Sequence, residues 1–313
     1  MERIVFMGTP AFSARILEDL INAKYNIVGV VTQPDRVVGR KQQIEFSEVK
    51  KVALKYQIPV LQPNRIKKEY QPILDLKPDV IITAAFGQIV GVELLEAPKF
   101  KAINIHASLL PKYRGGAPIQ RSIENGDKET GITIMYMEKG MDTGDILYQE
   151  KLAISNDDTS TTLFEKLSVL GSQMILAFLP KLFKGDVKPI KQNEDEVTYA
   201  YNLTKEEEHI TFNDNAYHIY NKVRSLNDTP GAYFYFKGFE QEQFRIKIIE
   251  CEPVDIIHNL NVGEILQINK KDFLMACMDN TALKITKVKP NGKAEMTSLA
   301  FINGGMKKYL GGN

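Results

Sequence analysis

An open, mostly parallel α/β sheet followed by a small antiparallel β-barrel is the fold class this sequence predicts. Three observations carry it. Short apolar runs alternate with amphipathic ones through the first 180 or so residues, as strand–helix units do. Two of those runs, residues 79–84 and Ala102–His106, are β-branched without polar alternation, the pattern of strands buried on both faces. Beyond residue 208 the texture becomes short β-prone stretches punctuated by turn residues, which suits a barrel.

Residues 3–7 read as the first strand, and Gly8-Thr9-Pro10 turns the chain into a helix whose Phe12, Ile16, Leu17 and Leu20 recur at helical spacing. A strand at 27–32, a helix at 49–56, a short strand at 59–61 and a helix at 66–76 follow. Strands at 79–84, Ala102–His106 and 131–137 continue the series, and 146–152 reads as a strand or hairpin arm. Residues 159–183 form a long helix with Asp157 or Asp158 as its cap and Gly185 as its stop; Leu163, Leu167, Leu170, Met174, Phe178 and Leu182 make its apolar stripe. Residues 184–208 carry few apolar and many charged side chains and read as a connection. One helix at Ala216–Leu226 precedes strands at 232–236, 244–251, 263–268, 273–277 and 282–288, separated by turns such as Pro290-Asn291-Gly292. The expected domains are 1–189, a linker at 190–207, and 208–313, the last an oligonucleotide/oligosaccharide-binding (OB) type barrel.

A length of 313 residues fits two domains of ~150 residues each. Forty basic against 39 acidic side chains, a net charge of +1, exclude a polybasic protein but not a local basic patch. Cys251 and Cys277 are too few for a disulfide scaffold or a Cys-rich zinc domain and fit a reducing cytoplasm. The opening residues lack the pattern of a signal peptide. The apolar run at 80–90 is interrupted by Thr83, Gly87 and Gln88 and falls short of the ~18–20 residues of a membrane helix. A cytoplasmic, monomeric protein with no membrane attachment is expected.

The residues richest in chemistry lie at 104–118. Asn104 and His106, two apart on a strand, point to the same side and stand just before a Pro- and Gly-rich loop. An amide that donates to a developing oxyanion beside an imidazole that moves protons is a catalytic pairing, and the same pair could instead tie down the loop. Asp142, between Gly140 and Gly144, reads either as turn chemistry or as a carboxylate that orients His106 and sets its protonation. Gly8-Thr9-Pro10 lacks the dinucleotide and Walker fingerprints, and no ligand spacing suggests a metal. The loop at 32–43 offers Arg36, Arg40 and Lys41 to phosphates or to solvent. Lys284, Lys287, Lys289, Lys293, Lys307 and Lys308 against a single Glu295 make the last stretch basic, in keeping with nucleic-acid backbone contact or with plain solvation.

Asn104-Ile-His106 with Ser-Leu-Leu-Pro-x-x-Arg-Gly and a later Asp-Thr-Gly-Asp resembles the 10-formyltetrahydrofolate-dependent formyltransferases. Phe-x-Gly-Thr-Pro-x-Phe at the start, Gln33-Pro-Asp-Arg36 with Gly39-Arg40, Ala117-Pro-Ile-Gln120, Thr198-Tyr-Ala200 and Lys205-Glu-Glu207 are similar to those members that act on aminoacylated tRNA. The resemblance implies a Rossmann-like formyltransferase domain, a linker and an OB-fold-like barrel that binds tRNA. It implies transfer of the formyl group of 10-formyltetrahydrofolate to the α-amine of methionine on initiator tRNA, with no metal. Asn104, His106 and Asp142 match the family's catalytic trio. Ser108, Leu109, Leu110 and Pro111 match its folate-contacting segment, Phe86, Gly87, Gln88 and Ile89 its pterin-side loop, and Arg36, Arg40 and Lys41 its tRNA-binding loop. Val37 stands where many relatives carry proline, and Gln42-Gln43 where many carry lysines.

Such a trio suits the chemistry. The amine attacks as the neutral base, charge develops on the formyl oxygen, and Asn104 with protonated His106 can stabilise it, an effect of ~10²–10³ in rate per donor. A sugar-nucleotide N-formyltransferase would share the trio and could share the two-domain plan. A formyltetrahydrofolate hydrolase would have no need of the basic loop, and a catalytically silent RNA-binding relative would have no need of the trio.

Overall fold

In the computed structural model the described residues are 1–38, 42–237, 243–268 and 271–306. They fall into two compact units. One comprises 1–119, 129–154 and 163–202; the other comprises 120–128, 155–162 and 203–313. The stretch expected as a linker therefore divides, 190–202 belonging to the first unit and 203–207 to the second.

The first unit opens with β1 (Arg3–Gly8), α1 (Ala11–Asn22) and β2 (Asn26–Val31). A hairpin of β3 (Arg36–Val38) and β4 (Gln43–Glu45) leads to α2 (Glu48–Lys55), β5 (Val60–Leu61) and α3 (Gln71–Leu74). Then come β6 (Val80–Ala84), α4 (Val92–Glu96), β7 (Ala102–His106), α5 (Pro118–Glu124, of which 120–124 belong to the second unit), β8 (Glu129–Tyr136), β9 (Ile146–Ala153) and α6 (Ser160–Lys184, in the first unit from Leu163 on). Seven strands build the sheet in the order β5-β2-β1-β6-β7-β8-β9. The first five run parallel, and β8 and β9 are antiparallel additions. The chain moves outward from β1 to β5, then returns to β6 on the other side of β1. Ligands in such sheets bind outside the carboxyl ends of the strands near that reversal.

Of the two runs without alternation, Val80 to Ile82 are fully buried and Ala102, Ile103 and Ile105 nearly so, with Asn104 partly exposed; Ile4 to Met7 are fully buried as well. Gly8 is required where β1 meets α1, because a Cβ there would come within 2.5 Å of Ser13 Cβ and 2.9 Å of the Ala84 carbonyl oxygen. The 25-residue α6 is long and apolar enough, at a mean hydropathy of 1.3, to pass as a bilayer-crossing helix, which the sequence reading overlooked. Half of that window is buried within the fold, however. Leu163, Leu167, Met174 and Phe178 are core residues, and a Cβ at Gly171 would meet the side chains of Ile105, Ile16 and Ile132 at 3.3–3.7 Å.

The helix expected at 66–76 shrinks to Gln71–Leu74. Pro72 has no N–H to continue a helix from the preceding turn and clashes with it, so it stands in the first turn instead. Ile66 and Ile73 are both 1% exposed, so the apolar spacing was a signal of burial rather than of helix. Where a loop was expected at 32–43, β3 and β4 pair antiparallel, with Arg36 opposite Glu45 and Val37 opposite Ile44.

The second unit holds α7 (Ala216–Leu226), capped by the Asn215 side chain, which accepts from the Tyr217 amide. Its sheet is built from β10 (Tyr233–Lys237), β11 (Gln243–Asp255), β12 (Ile265–Ile268), β13 (Phe273–Ala276), β14 (Thr281–Pro290) and β15 (Met296–Thr297), followed by α8 (Ser298–Phe301). The order is β10-β11-β14-β13-β12, antiparallel throughout, with β15 on β14. Register shifts at Glu250 bend the long β11, and among the described residues β10 and β12 are not paired, so the sheet curls as a half-barrel. Phe234, Ile246, Phe273, Leu283 and Ile285 share one buried core with Ile219 and Val223 of α7 and Phe301 of α8. Cys251 and Cys277 are free and buried in this core; burial pushes both thiols up, Cys277 to about 11, so neither is a nucleophile near neutrality.

Candidate active site

Pairing of β6 with β7 sets Thr83 beside Asn104, so the loops that leave the two strands emerge from one edge of the sheet. Strand alternation places Asn104 and His106 on the same side of β7 at that edge. The turn after β8 brings Asp142 back to them, held at φ +54°. Asp142 Oδ2 lies 3.7 Å from His106 Nδ1 and accepts from the Gly115 amide at 2.8 Å; Oδ1 lies 3.5 Å from Asn104 Nδ2. The three residues separated by 38 positions in sequence thus converge on one point.

Hydrogen-bond partners fix which atoms are available. Thr83 Oγ1 donates to Asn104 Oδ1 at 2.8 Å, which turns the amide's NH₂ end toward the site. His106 Nε2 lies 2.9 Å from the Tyr113 carbonyl oxygen, an acceptor only, so Nε2 carries the donated hydrogen and Nδ1 is the atom that gains or loses a proton. At 3.7 Å the Asp142 carboxylate acts on Nδ1 through its charge rather than by a direct hydrogen bond. Side-chain exposures of 6% for His106 and 16% for Asp142 keep that charge poorly screened.

Ser108–Pro111 lie in the loop directly after β7. The Ser108 hydroxyl donates to the Lys112 carbonyl at 2.7 Å, and Thr133 Oγ1 donates to the Ser108 carbonyl at 2.6 Å while accepting from the Leu110 amide at 3.2 Å. Phe86, Gly87, Gln88 and Ile89 occupy the loop after β6. Thr9 Oγ1 and Gln33 Nε2 both donate to the Phe86 carbonyl, at 3.1 and 2.9 Å. Gln88 is committed inward: its Oε1 accepts from the Ile66 amide and its Nε2 donates to the Pro63 carbonyl. Ile89, at 72% exposed, stands out into solvent. Both segments can therefore meet a flat ligand through backbone groups and the Leu109 and Ile89 side chains, with Ser108 and Gln88 bracing the loops.

Arg36 is exposed at the start of β3 and lines a cavity of about 250 Å³ with Thr9, Gln33, Glu45 and Phe46. Arg40 and Lys41 lie outside the described residues. The strands also expose Val37 and Ile44, at 63% and 66%, an apolar cross-strand pair next to Arg36. Among the described residues no group of three or more His, Cys, Asp or Glu could hold a metal ion.

Several residues that build the site escaped the sequence reading. Thr83 passes for one more β-branched strand residue, its only signal being a lone hydroxyl inside Val-Ile-Ile-Thr-Ala. Arg114, 2% exposed, pairs with Glu194 at 2.8 Å, and its guanidinium holds that carboxyl below the usual range. Gln192 donates to the carbonyls of Asp142 and Gly144, both at 2.8 Å. Arg114 stands in the motif Ser-Leu-Leu-Pro-x-x-Arg-Gly without its partners being legible there, and no short-range pattern marks Gln192.

Two family profiles match the chain: formyl transferase over residues 2–179 and formyl transferase C-terminal domain over 202–305. The methionyl-tRNA formyltransferase of Enterococcus faecalis is 47% identical over 306 residues, covering 97% of this chain and 96% of the relative. Among solved structures, HypX from Aquifex aeolicus is similar with a TM-score of 0.67 at 17% identity; the match covers 99% of this chain and 50% of HypX. WlaRD, a sugar 3N-formyl transferase, has a TM-score of 0.66 at 19% identity, covering 94% of this chain and 99% of that one. At such identities the two structures speak for the fold alone.

Proposed function

The chain belongs to the formyl transferase family, and from that premise we propose that it moves the formyl group of 10-formyltetrahydrofolate to the α-amine of methionine on initiator tRNA. The observation that carries the chemistry is the convergence of Asn104, His106 and Asp142 at the carboxyl end of β7. The choice of acceptor rests on near-full-length identity to a methionyl-tRNA formyltransferase, at 47% against 19% for the sugar enzyme.

The folate carrier supplies an activated one-carbon unit. Its pterin end is assigned to the loop Phe86, Gly87, Gln88 and Ile89, and the segment Ser108, Leu109, Leu110 and Pro111 flanks the formyl group. Attack by the neutral amine on the formyl carbon breaks the carbonyl π bond and puts negative charge on its oxygen. Asn104 Nδ2, aimed by Thr83, donates to that oxygen. His106 Nδ1 takes part in proton transfer as the amine loses a proton and the folate nitrogen gains one on leaving, while Tyr113 holds the ring by Nε2. Asp142 stabilises the protonated ring. The first unit is the formyltransferase and folate domain, and the OB-fold-like second unit, with Arg36, Arg40 and Lys41 of the first, serves tRNA.

A competition assay with charged initiator tRNA, a UDP-amino sugar and water as acceptors tests this reading. Formyl transfer to the aminoacyl-tRNA alone is expected. Preferential transfer to the sugar would replace the acceptor and keep the site.

A further inference from the structure

We propose that Gln192, far from the trio in sequence and read there as part of a connection, is a positioning residue for formyl transfer that sets the distance between Asp142 and His106. The proposal rests on the reading of the trio as catalytic.

One amide group is engaged at both ends. Its Nε2 donates to the carbonyl oxygens of Asp142 and Gly144, each at 2.8 Å, so both ends of the turn that presents the carboxylate hang on it. Its Oε1 accepts from Arg114 Nε at 3.0 Å and Nη2 at 2.8 Å. The Nη1/Nη2 edge of the same guanidinium donates to Glu194, at 3.2 and 2.8 Å, so a buried charge is compensated and cannot drift.

The turn needs such a hold. Asp142 lies at φ +54°, where a non-glycine residue is strained, and a Cβ at Gly144 would come within 1.8 Å of the Tyr136 carbonyl oxygen. The neighbouring stretch of the same segment fixes the other half of the site. Thr198 accepts the amides of Tyr113 and Arg114 through Oγ1 and its carbonyl, both at 2.9 Å, and the Ala200 amide donates to the Arg114 carbonyl at 2.7 Å. Tyr113 is the residue whose carbonyl holds His106 Nε2, and Gly115 the one whose amide holds Asp142 Oδ2. Residues 192–200 therefore strap together the two loops whose spacing determines the separation of 3.7 Å between carboxylate and ring. A misplacement of about 1 Å at such a centre can cost ~10²-fold in rate.

Gln192→Glu tests this most sharply. It keeps an acceptor for Arg114 and replaces the donor by an oxygen facing two carbonyls. Gln192→Ala removes both ends, and His106→Ala serves as the reference. For both Gln192 variants kcat per folded enzyme should fall at least about tenfold, with KM for 10-formyltetrahydrofolate and for Met-tRNA within about twofold. The kcat–pH profile should move with it, since the charge facing Nδ1 has shifted. A kcat and pH profile unchanged in both Gln192 variants, with His106→Ala inactive, would overturn the positioning role and leave the site reading intact. Failure of both variants to fold at the assay temperature would also overturn it, by making Gln192 a structural residue. An active His106→Ala would overturn the site reading and this proposal together.

Discussion

The carboxyl end of β7 and the exposed face of β14 are both dense in polar side chains, and they are organised in opposite ways. At β7 the groups are largely withdrawn from water and each is fixed by a specific neighbour at hydrogen-bond distance: Thr83 for Asn104, the Tyr113 carbonyl for His106, the Gly115 amide for Asp142. Along β14 the charges are at the surface and share carboxylates loosely. Lys284 lies 3.3 Å from Glu252 and 3.9 Å from Asp272, Lys287 lies 3.4 Å from Glu250 and 3.7 Å from Glu295, and Lys289 is 3.6 Å from Glu295. Polar groups shielded from solvent must be matched individually, whereas surface ion pairs contribute ~0–1 kcal/mol and are screened by salt. The first arrangement suits chemistry, where position decides the rate; the second leaves a surface that in sequence reads as basic close to neutral.

That contrast can be broken most severely at the ring. His106→Ala removes the group that moves the proton and should lower kcat by ~10² or more, with folding retained, since the site lies on a strand-end rim. Circular dichroism beside steady-state formylation checks both halves, and activity within a few-fold of wild type would dissolve the distinction between the two regions. Asp142→Asn keeps the shape and the bond from the Gly115 amide but removes the charge facing Nδ1. A loss of kcat of at least about tenfold is expected, with folate KM nearly kept. If folate binding alone suffers, Asp142 shapes the pocket instead of serving the ring.

Smaller effects sharpen the other side. Arg36→Ala should weaken use of Met-tRNA and reduce the slope of log affinity against log salt by about one unit, while folate binding is untouched. Equal slopes would remove the hairpin from RNA contact. Lys287→Ala is expected to change Met-tRNA affinity by less than about twofold, because Glu250 and Glu295 already compensate that charge. A larger loss would show that β14 carries RNA in spite of them.

The same division explains what could be read from sequence. Strand β7 emerges with the expected bounds, Ala102–His106, because a β-branched run ending in Asn-x-His is a local pattern whose period fixes which side chains share a face. The helical spacing of α6 and α7 was equally local. The helix over 66–76 failed where one local rule, apolar spacing, met another, Pro72. Asp142 could be singled out by its glycines, but Thr83 and Gln192 could not. Their roles arise from partners 21 and 50 residues away, and a threonine in a strand or a glutamine in a polar stretch has no distinctive local signature. The acidic neighbours of the lysines on the last strands were hidden for a related reason, and Lys307 and Lys308 lie outside the described residues. Glu250 and Glu252 reach the lysines only through the pairing of β11 with β14.

The central claim is that the atoms held at the end of β7 stabilise the charge that forms on the formyl oxygen. Its most direct test is the single-turnover rate of formyl transfer for Asn104→Ala with both substrates saturating, where binding and product release drop out. A rate lower by ~10², with 10-formyltetrahydrofolate bound as tightly as by the wild type, is the predicted result. A transfer rate within a few-fold of wild type would contradict it.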